Sequence, residues 1–283
     1  MPVARKTCMQ VNLLCIGDTV GRPGRFVLSQ MLPKLVEQYD LHCIVCNAEN
    51  AAGGSGLTHQ LYEKFRRYGV NLITLGDHAF RRQEIVPVLE RASDIVRPAN
   101  FAQAAPGRGW AVYETRIGPK VAAIAVLGRL YMKPPTDCPF MAIEKALSQI
   151  PPDVKIIVVD VHAEATSEKV AMGWHFDGRV SVVFGTHTHI PTADERILPN
   201  GTAYISDVGM TGPYDSVLGR RKDRVLKAMI TGLHVPFDVA DDDIRLCGLL
   251  VSVDSATGRA THVERIRVDS DASVADAGTG GEE

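Results

Sequence analysis

Short apolar runs recur along the chain, and each stops at Gly, Asp, Asn or His: VNLLCI, CIVCN, NLITL, KVAAIAVL, VKIIVVDV and VSVVF. Their length and β-branched content read as buried strands of a largely parallel sheet, or of stacked sheets. Between several of them the pattern becomes helical: FVLSQMLPKLVEQY after Pro23, HQLYEKFRRYG after Thr58, and FMAIEKALSQI before Pro151. Pro23 and Thr58 are helix-start signals and Gly69 a helix stop. From Ile197 onward the runs shorten and alternate, in TAYISDV, RLCGLLVSVD and THVERIRVD, with a helix around Arg221 to Ile230. That half reads as hairpins and antiparallel strands, so an α/β protein with α+β layering is expected. No internal repeat is evident. Residues 11–269 are expected to form a single domain, after a flexible N-terminus at 1–10 and before a disordered tail at 270–283 that lacks large apolar residues. AspAspAsp at 241–243 reads as a solvated loop.

Composition narrows the function. With 283 residues and 45% hydrophobic content the chain can bury a large core. A net charge of −2 gives no basic excess for a stable nucleic-acid partner, while a small anionic substrate fits. The apolar run after Arg5 and Lys6 ends at Asp18, too short for a signal-peptide core, and no run reaches membrane-spanning length, so a soluble cytoplasmic protein is expected. Six scattered cysteines suit reduced core thiols, and the odd offset of Cys43 and Cys46 in an extended run points them to opposite faces.

Metal-binding residue types sit where the apolar runs stop. The strand ends carry Asp18, then Glu49 and Asn50 in NAEN, then Asp77 and His78 in LGDH, His162 in DVHAE, and His187 and His189 in GTHTH. Carboxyl ends of neighbouring parallel strands converge on one crevice, so five loops could assemble one site. In an extended segment, His187 and His189 would point the same way and Thr186 and Thr188 the other. Carboxylate, amide and imidazole donors without thiolate favour Mn, Fe or Zn, and two such ions bridged by a carboxylate, naturally Glu49, suit in-line phosphoryl displacement. His42, His59, His175, His234 and His262 read as structural. GDTVGRPGR is spaced GxxxGxxG, not GxGxxG, which disfavours a dinucleotide fold, although Arg22 or Arg25 near a helix start could help hold a phosphate.

The set GDTVGRPGR, NAENAAGGSGLT, TLGDHAF, RPANF, DVHAEATSEK and GTHTHIPTADERILPNGTAYISDVGMTGP resembles the calcineurin-like metallophosphoesterases, in particular the YmdB family of bacterial cyclic-nucleotide phosphodiesterases, over roughly Val11 to Val268. The resemblance implies a four-layer α/β/β/α metallophosphoesterase sandwich and hydrolysis of 2′,3′-cyclic nucleotides through a metal-bridging hydroxide. It also implies two transition-metal ions, iron or manganese ahead of zinc. One would be held by Asp18, Asn50 and His189 and the other by Asp77, His162 and His187, with Glu49 bridging and His78 as the catalytic histidine. Asp77 stands where the family usually has asparagine, and the added carboxylate should tighten metal binding while weakening the ions as Lewis acids. A phosphomonoesterase or nuclease of the same fold, or a low-turnover metal-dependent regulatory protein, are the alternatives. The small-molecule partner is a cyclic nucleotide, and a homo-oligomer is left open. The segment Leu127 to Phe140, with two adjacent prolines, Arg129 and Tyr131, reads either as a rim loop or as a plain connection, and AAGGSG at 51–56 and GMTGPYD at 209–215 are glycine-rich enough to approach the crevice.

Overall fold

The computed structural model describes residues 9–270. In chain order it contains β1 (Gln10–Ile16), α1 (Gly21–Gln38), β2 (Cys43–Asn47), α2 (His59–Arg67), β3 (Leu72–Thr74), α3 (Val86–Arg91), β4 (Ile95–Val96), β5 (Trp110–Glu114), β6 (Lys120–Leu127) and α4 (Pro139–Gln149). There follow β7 (Ile156–His162), α5 (Thr166–His175), β8 (Val182–Thr186), β9 (Arg196–Ile197), β10 (Ala203–Ile205), β11 (Gly212–Pro213), α6 (Lys222–Thr231), β12 (Ile244–Asp254) and β13 (Ala260–Asp269). Of the expected flexible N-terminus, Gln10 already belongs to β1, and of the expected tail, the Ser270 N–H donates to the Ile244 carbonyl; 1–8 and 271–283 lie outside the described residues.

Strands β1 to β4 run parallel in one sheet, extended past β1 by antiparallel β12, which in turn pairs with β11 and β13. The second sheet has the order β5-β6-β7-β8-β10-β9, with β6, β7, β8 and β10 parallel. Alternation along the strands sorts the core into layers. Leu13, Cys43, Val45, Val158, Phe184 and Ile205 fill the space between the sheets. Leu14, Ile44 and Ile73 face Leu28, Leu32 and Phe65 of α1 and α2, and Ile124, Val159 and Val183 face Ile143 and Met172 of α4 and α5. The result is the expected four-layer α/β/β/α sandwich, with a seven-stranded and a six-stranded sheet packed face to face.

Local signals explain several ends. Thr58 caps α2, its hydroxyl accepting the Leu61 N–H, and Gly69 follows with φ +96°. Helix α1 starts at Gly21, before Pro23, because tertiary backbone contacts serve its entry: Val20 and Gly21 N–H donate to the carbonyls of Thr211 and Asn50. The reading of the C-terminal part needs one correction. Strand β10, within TAYISDV, runs parallel to β8 and extends the second sheet, while the β12–β13 hairpin returns to the first. Three residues buried on both faces carry no alternation from which a partner could be read. Helices α3 and α5 and strands β4, β5, β9 and β11 had no counterpart among the expected elements. Cys43 and Cys46 do face opposite layers; burial raises both thiols, Cys46 to about 12, so neither is a ready thiolate. Among the described residues no helix is long and apolar enough to cross a membrane.

Gly185, inside β8, is where the second sheet is tightest: an added Cβ would sit 1.7 Å from the Ser206 carbonyl oxygen. Gly185→Ala should lower stability by about 3 kcal/mol, a fall in Tm readable by thermal unfolding, because backbone of two elements must move apart.

Candidate metal centre

Each side chain of the centre is placed by the way its strand ends. β1 runs into Gly17 and Asp18, and Gly17 must lack a Cβ because the Gly209 carbonyl oxygen lies 1.8 Å from where it would be. Asp18 is fully buried; its Oδ2 accepts the His187 N–H at 2.9 Å. After β2, Asn47 Oδ1 accepts the Glu49 N–H at 3.1 Å and sets the turn that delivers Glu49 and Asn50. After β3 comes Gly76, where a Cβ would lie 2.4 Å from His162 Nε2 and 2.5 Å from Glu49 Oε2, so only glycine lets these groups close in. The His78 N–H then donates to Glu49 Oε2 at 2.9 Å.

The second sheet supplies His162, His187 and His189, and hydrogen bonds at Nδ1 orient His162 and His189. Asp160, two residues before His162 on the same face of β7, accepts the Thr186 hydroxyl at 2.7 Å, the Thr74 hydroxyl and the Asn47 amide. With its proton committed to Asp160, Thr186 Oγ1 accepts from His162 Nδ1 at 2.8 Å, and His162 Nε2 is turned into the centre. Likewise His189 Nδ1 donates to the Leu218 carbonyl at 3.0 Å, which leaves Nε2 facing Asn50 and Asp18. Two members of this scaffold, Asp160 and Asp207, were not among the candidate residues. Period-two spacing from His162 was the available signal for Asp160; none marked Asp207.

GTHTH departs from the extended geometry expected of it. β8 ends at Thr186, and His187 and His189 take φ of +94° and +66°, left-handed values uncommon for a residue with a Cβ. Asp207 holds this conformation. It accepts the N–H and hydroxyl of Thr188 at 3.2 and 2.8 Å and the Gly209 N–H at 2.8 Å, and is itself paired with buried Lys169 at 2.7 Å. Both threonines of GTHTH are anchors, Thr186 before His187 to Asp160 and Thr188 between the histidines to Asp207.

All eight expected residues meet in one place. His162 Nε2 lies 3.2 Å from Glu49 Oε1, 3.1 Å from Asp77 Oδ1 and 3.0 Å from His187 Nδ1. His78 Nδ1 lies 2.8 Å from Asn50 Oδ1 and 3.2 Å from Glu49 Oε1. Donor atoms of Asp77, His162 and His187 fall within 4.8 Å of one another, as do those of Asp18, Glu49 and His162, and of Glu49, Asp77 and His78. Burial opposes a charge on Glu49, yet the adjoining His162 holds its carboxyl down at about 2. Burial likewise opposes a charge on His162, and Glu49 and Asp77 outweigh it and raise the imidazole well above its ordinary value. Three carboxylates enclosed with imidazoles form an anionic donor set that a cation completes, so the residues are able to hold a metal ion. The Asn50 amide nitrogen faces Asp18, Glu49 and His189, and a half-turn of the amide would present oxygen there instead.

Of the histidines read as structural, His42, His59, His175 and His262 belong to none of these donor groups. His42 Nδ1 accepts the Asn12 N–H, His59 and His262 sit beside Glu63 and Glu264, and His175 packs on Phe140 and Phe176. Arg25 donates to the Ala51 carbonyl, so its guanidinium is occupied in bracing the loop after Asn50. The segment after Leu127 starts at the centre, since Gly128 N–H donates to the His162 carbonyl, and the N–H groups of Arg129 and Leu130 are held by Glu168.

Residues 14–266 match the model of a family described as YmdB-like protein. The chain belongs to the YmdB-like family. A Bacillus subtilis relative of this YmdB-like protein, described as 2′,3′-cyclic-nucleotide 2′-phosphodiesterase, is 43% identical over 92% of the chain and 98% of its own length. A Mycoplasma genitalium relative, described as a putative phosphatase/phosphodiesterase, is 36% identical over 91% of the chain and 93% of its own. Among solved structures, a Mycoplasma pneumoniae protein titled a novel phosphatase superposes with TM-score 0.86 at 35% identity, covering 93% of this chain and 95% of that one. A Thermus thermophilus hypothetical protein gives 0.85 at 38% identity, covering 92% and 99%.

Thr186→Val keeps the shape of the β8 terminus and removes the hydroxyl that ties His162 to Asp160. Metal affinity, measured by titration against a competing chelator, should fall about 10- to 100-fold while the fold persists.

Proposed function

We propose that this protein is a metal-dependent phosphodiesterase that hydrolyses 2′,3′-cyclic nucleotides with two transition-metal ions, iron or manganese ahead of zinc. The observation that carries the reading is the convergence of eight polar side chains from five strand ends on one crevice between the sheets. The substrate named for the 43% identical relative supports the choice of ester. Asp77, His162 and His187 would hold one ion and Asp18, Asn50 and His189 the other. Glu49, common to two of the donor groups, would lie between them. When bound, the ions would supply positive charge for the phosphoryl oxygens and make water acidic enough to react near neutral pH.

The chain's own residues would do the rest. Asp160 and Asp207, through Thr186 and Thr188, fix His162 and the 187–189 turn before substrate arrives, so little reorganisation is left to the reaction. His78 is steadied at Nδ1 by Asn50 and Glu49, which leaves Nε2, 3.9 Å from Asp77 Oδ2, as the atom to donate a proton to the departing ribose oxygen. Asp77 would deepen the negative charge around the second ion relative to the asparagine usual in the family. Asp77→Asn is expected to bind metal less tightly.

Chelation should abolish hydrolysis, and elemental analysis after manganese or iron loading should approach two ions per chain. Less than one ion, or faster turnover of nucleoside monophosphates than of every cyclic nucleotide tried, would sink the reading. His78→Ala should keep its metal and lose rate by about 10²–10⁴-fold on 2′,3′-cyclic AMP. The loss should be smaller on a nitrophenyl phosphodiester, whose leaving oxygen needs no proton. Equal losses accompanied by loss of metal would make His78 a ligand.

A further inference from the structure

Away from the metal centre, the connection from β4 to β5 and the outer face of α4 enclose a groove of about 510 Å³. None of its lining residues belongs to the metal cluster. Arg97 lies at its base, only 6% exposed. Its guanidinium donates to the Pro98 carbonyl at 2.7 Å and the Ala105 carbonyl at 3.4 Å, while Nε has no hydrogen-bond partner. Burial alone lowers its pKa, and no carboxylate forms an ion pair with it among the described residues. A buried cation without a counter-charge is expensive, and a structure that keeps one has a use for it. Arg108 and Lys145 also line the groove, and neither forms an ion pair among the described residues. Three cations thus face one carboxylate, Asp137. Trp110 flanks them, its indole N–H turned to Gln149 Oε1 at 3.2 Å, and Met141 is largely exposed at the wall.

We infer that this groove is a second ligand site, for a phosphomonoester that carries a planar ring, the chemistry of a nucleoside monophosphate. The phosphate dianion supplies the charge that Arg97, Arg108 and Lys145 lack, and guanidinium groups match its oxygens in geometry. The ring lies against Trp110 and Met141, and the volume falls within the range of small-ligand pockets. The site rests on the groove's own residues and stands whether or not the metal centre acts on cyclic nucleotides.

The test uses Trp110 as its reporter. The chain has two tryptophans, and Trp174→Phe leaves Trp110 alone. The metal-loaded Trp174→Phe protein is titrated with adenosine 5′-monophosphate, inorganic phosphate and adenosine while indole fluorescence is followed. A saturable change is expected with the monophosphate, about tenfold weaker affinity with phosphate alone, and no saturation with adenosine. Arg108→Ala and Lys145→Ala should each weaken monophosphate binding about tenfold and leave turnover at the metal centre unchanged. Because Arg97 also braces the Pro98 and Ala105 carbonyls, Arg97→Lys accompanies them as the variant that keeps the charge; it should retain binding better than Arg97→Gln. No saturation by the monophosphate at about 10 mM, adenosine binding as well as the monophosphate, or affinity indifferent to the Arg108→Ala/Lys145→Ala double change would each overturn the proposal.

Discussion

The structure turns on the cost of holding Asp18, Glu49 and Asp77 together between two sheets. Asp18 and Glu49 are almost wholly out of water, and like charges at that separation repel strongly where the dielectric is low. Imidazoles of His162 and His187 beside them reduce the repulsion, and cations would complete its neutralisation. Much of the surrounding architecture follows from that demand. Gly17 and Gly76 are glycine because a Cβ at either would wedge the loops apart. The parallel arrangement of β1 to β3 and β6 to β8 matters for the same reason: it brings their carboxyl ends, and so these side chains, to one edge of the sandwich.

Around the donors stands a layer of buried polar anchors that never reach the crevice floor. Burial raises Asp160 to about 6, against the pull of His162 and of the hydroxyls of Thr74 and Thr186. Lys169 and Asp207 form an ion pair with both side chains out of water, a pairing that contributes little net stability but fixes geometry when its remaining bonds are satisfied. Here they are satisfied by Thr188 and Gly209, and what they fix is a turn with two left-handed histidines. Backbone strain of that kind, about 1–3 kcal/mol per residue, persists only where neighbours over-determine the conformation. Helix α5, which carries Lys169, is thus tied to the metal centre through one buried charge.

The Arg97 groove follows the opposite logic. At the metal centre, excess negative charge is enclosed with imidazoles and suited to cations; at the groove a buried positive charge is left to carbonyl oxygens alone. The two sites lie apart, one where the carboxyl ends of β1 to β3 meet those of β7 and β8 and the other beside β5 and α4. A protein that handles phosphate at both would bind it by metal in one place and by guanidinium in the other.

The sequence alone determined the long central strands, because runs such as VKIIVVDV can only be buried. It also determined that polar donors follow them, and the eight residues of the centre were legible from those stops, whereas the four-layer sandwich was what the resemblance to metallophosphoesterases implied. Helices α1, α2, α4 and α6 were legible from their 3.6-residue period. What the sequence could not carry was partnership. AYI in β10 has no alternating face, so its parallel alignment with Phe184 and its neighbours was decided by the space beside β8. The positive φ of His187 and His189 was decided by Asp207, eighteen residues further on, since nothing in GTHTH itself favours a left-handed turn over an extended one. The isolation of the Arg97 charge belongs to tertiary structure as well. A chain with 33 acidic against 31 basic residues offers no local sign of which cation will be left without a counter-ion, because pairing depends on distances that only packing sets.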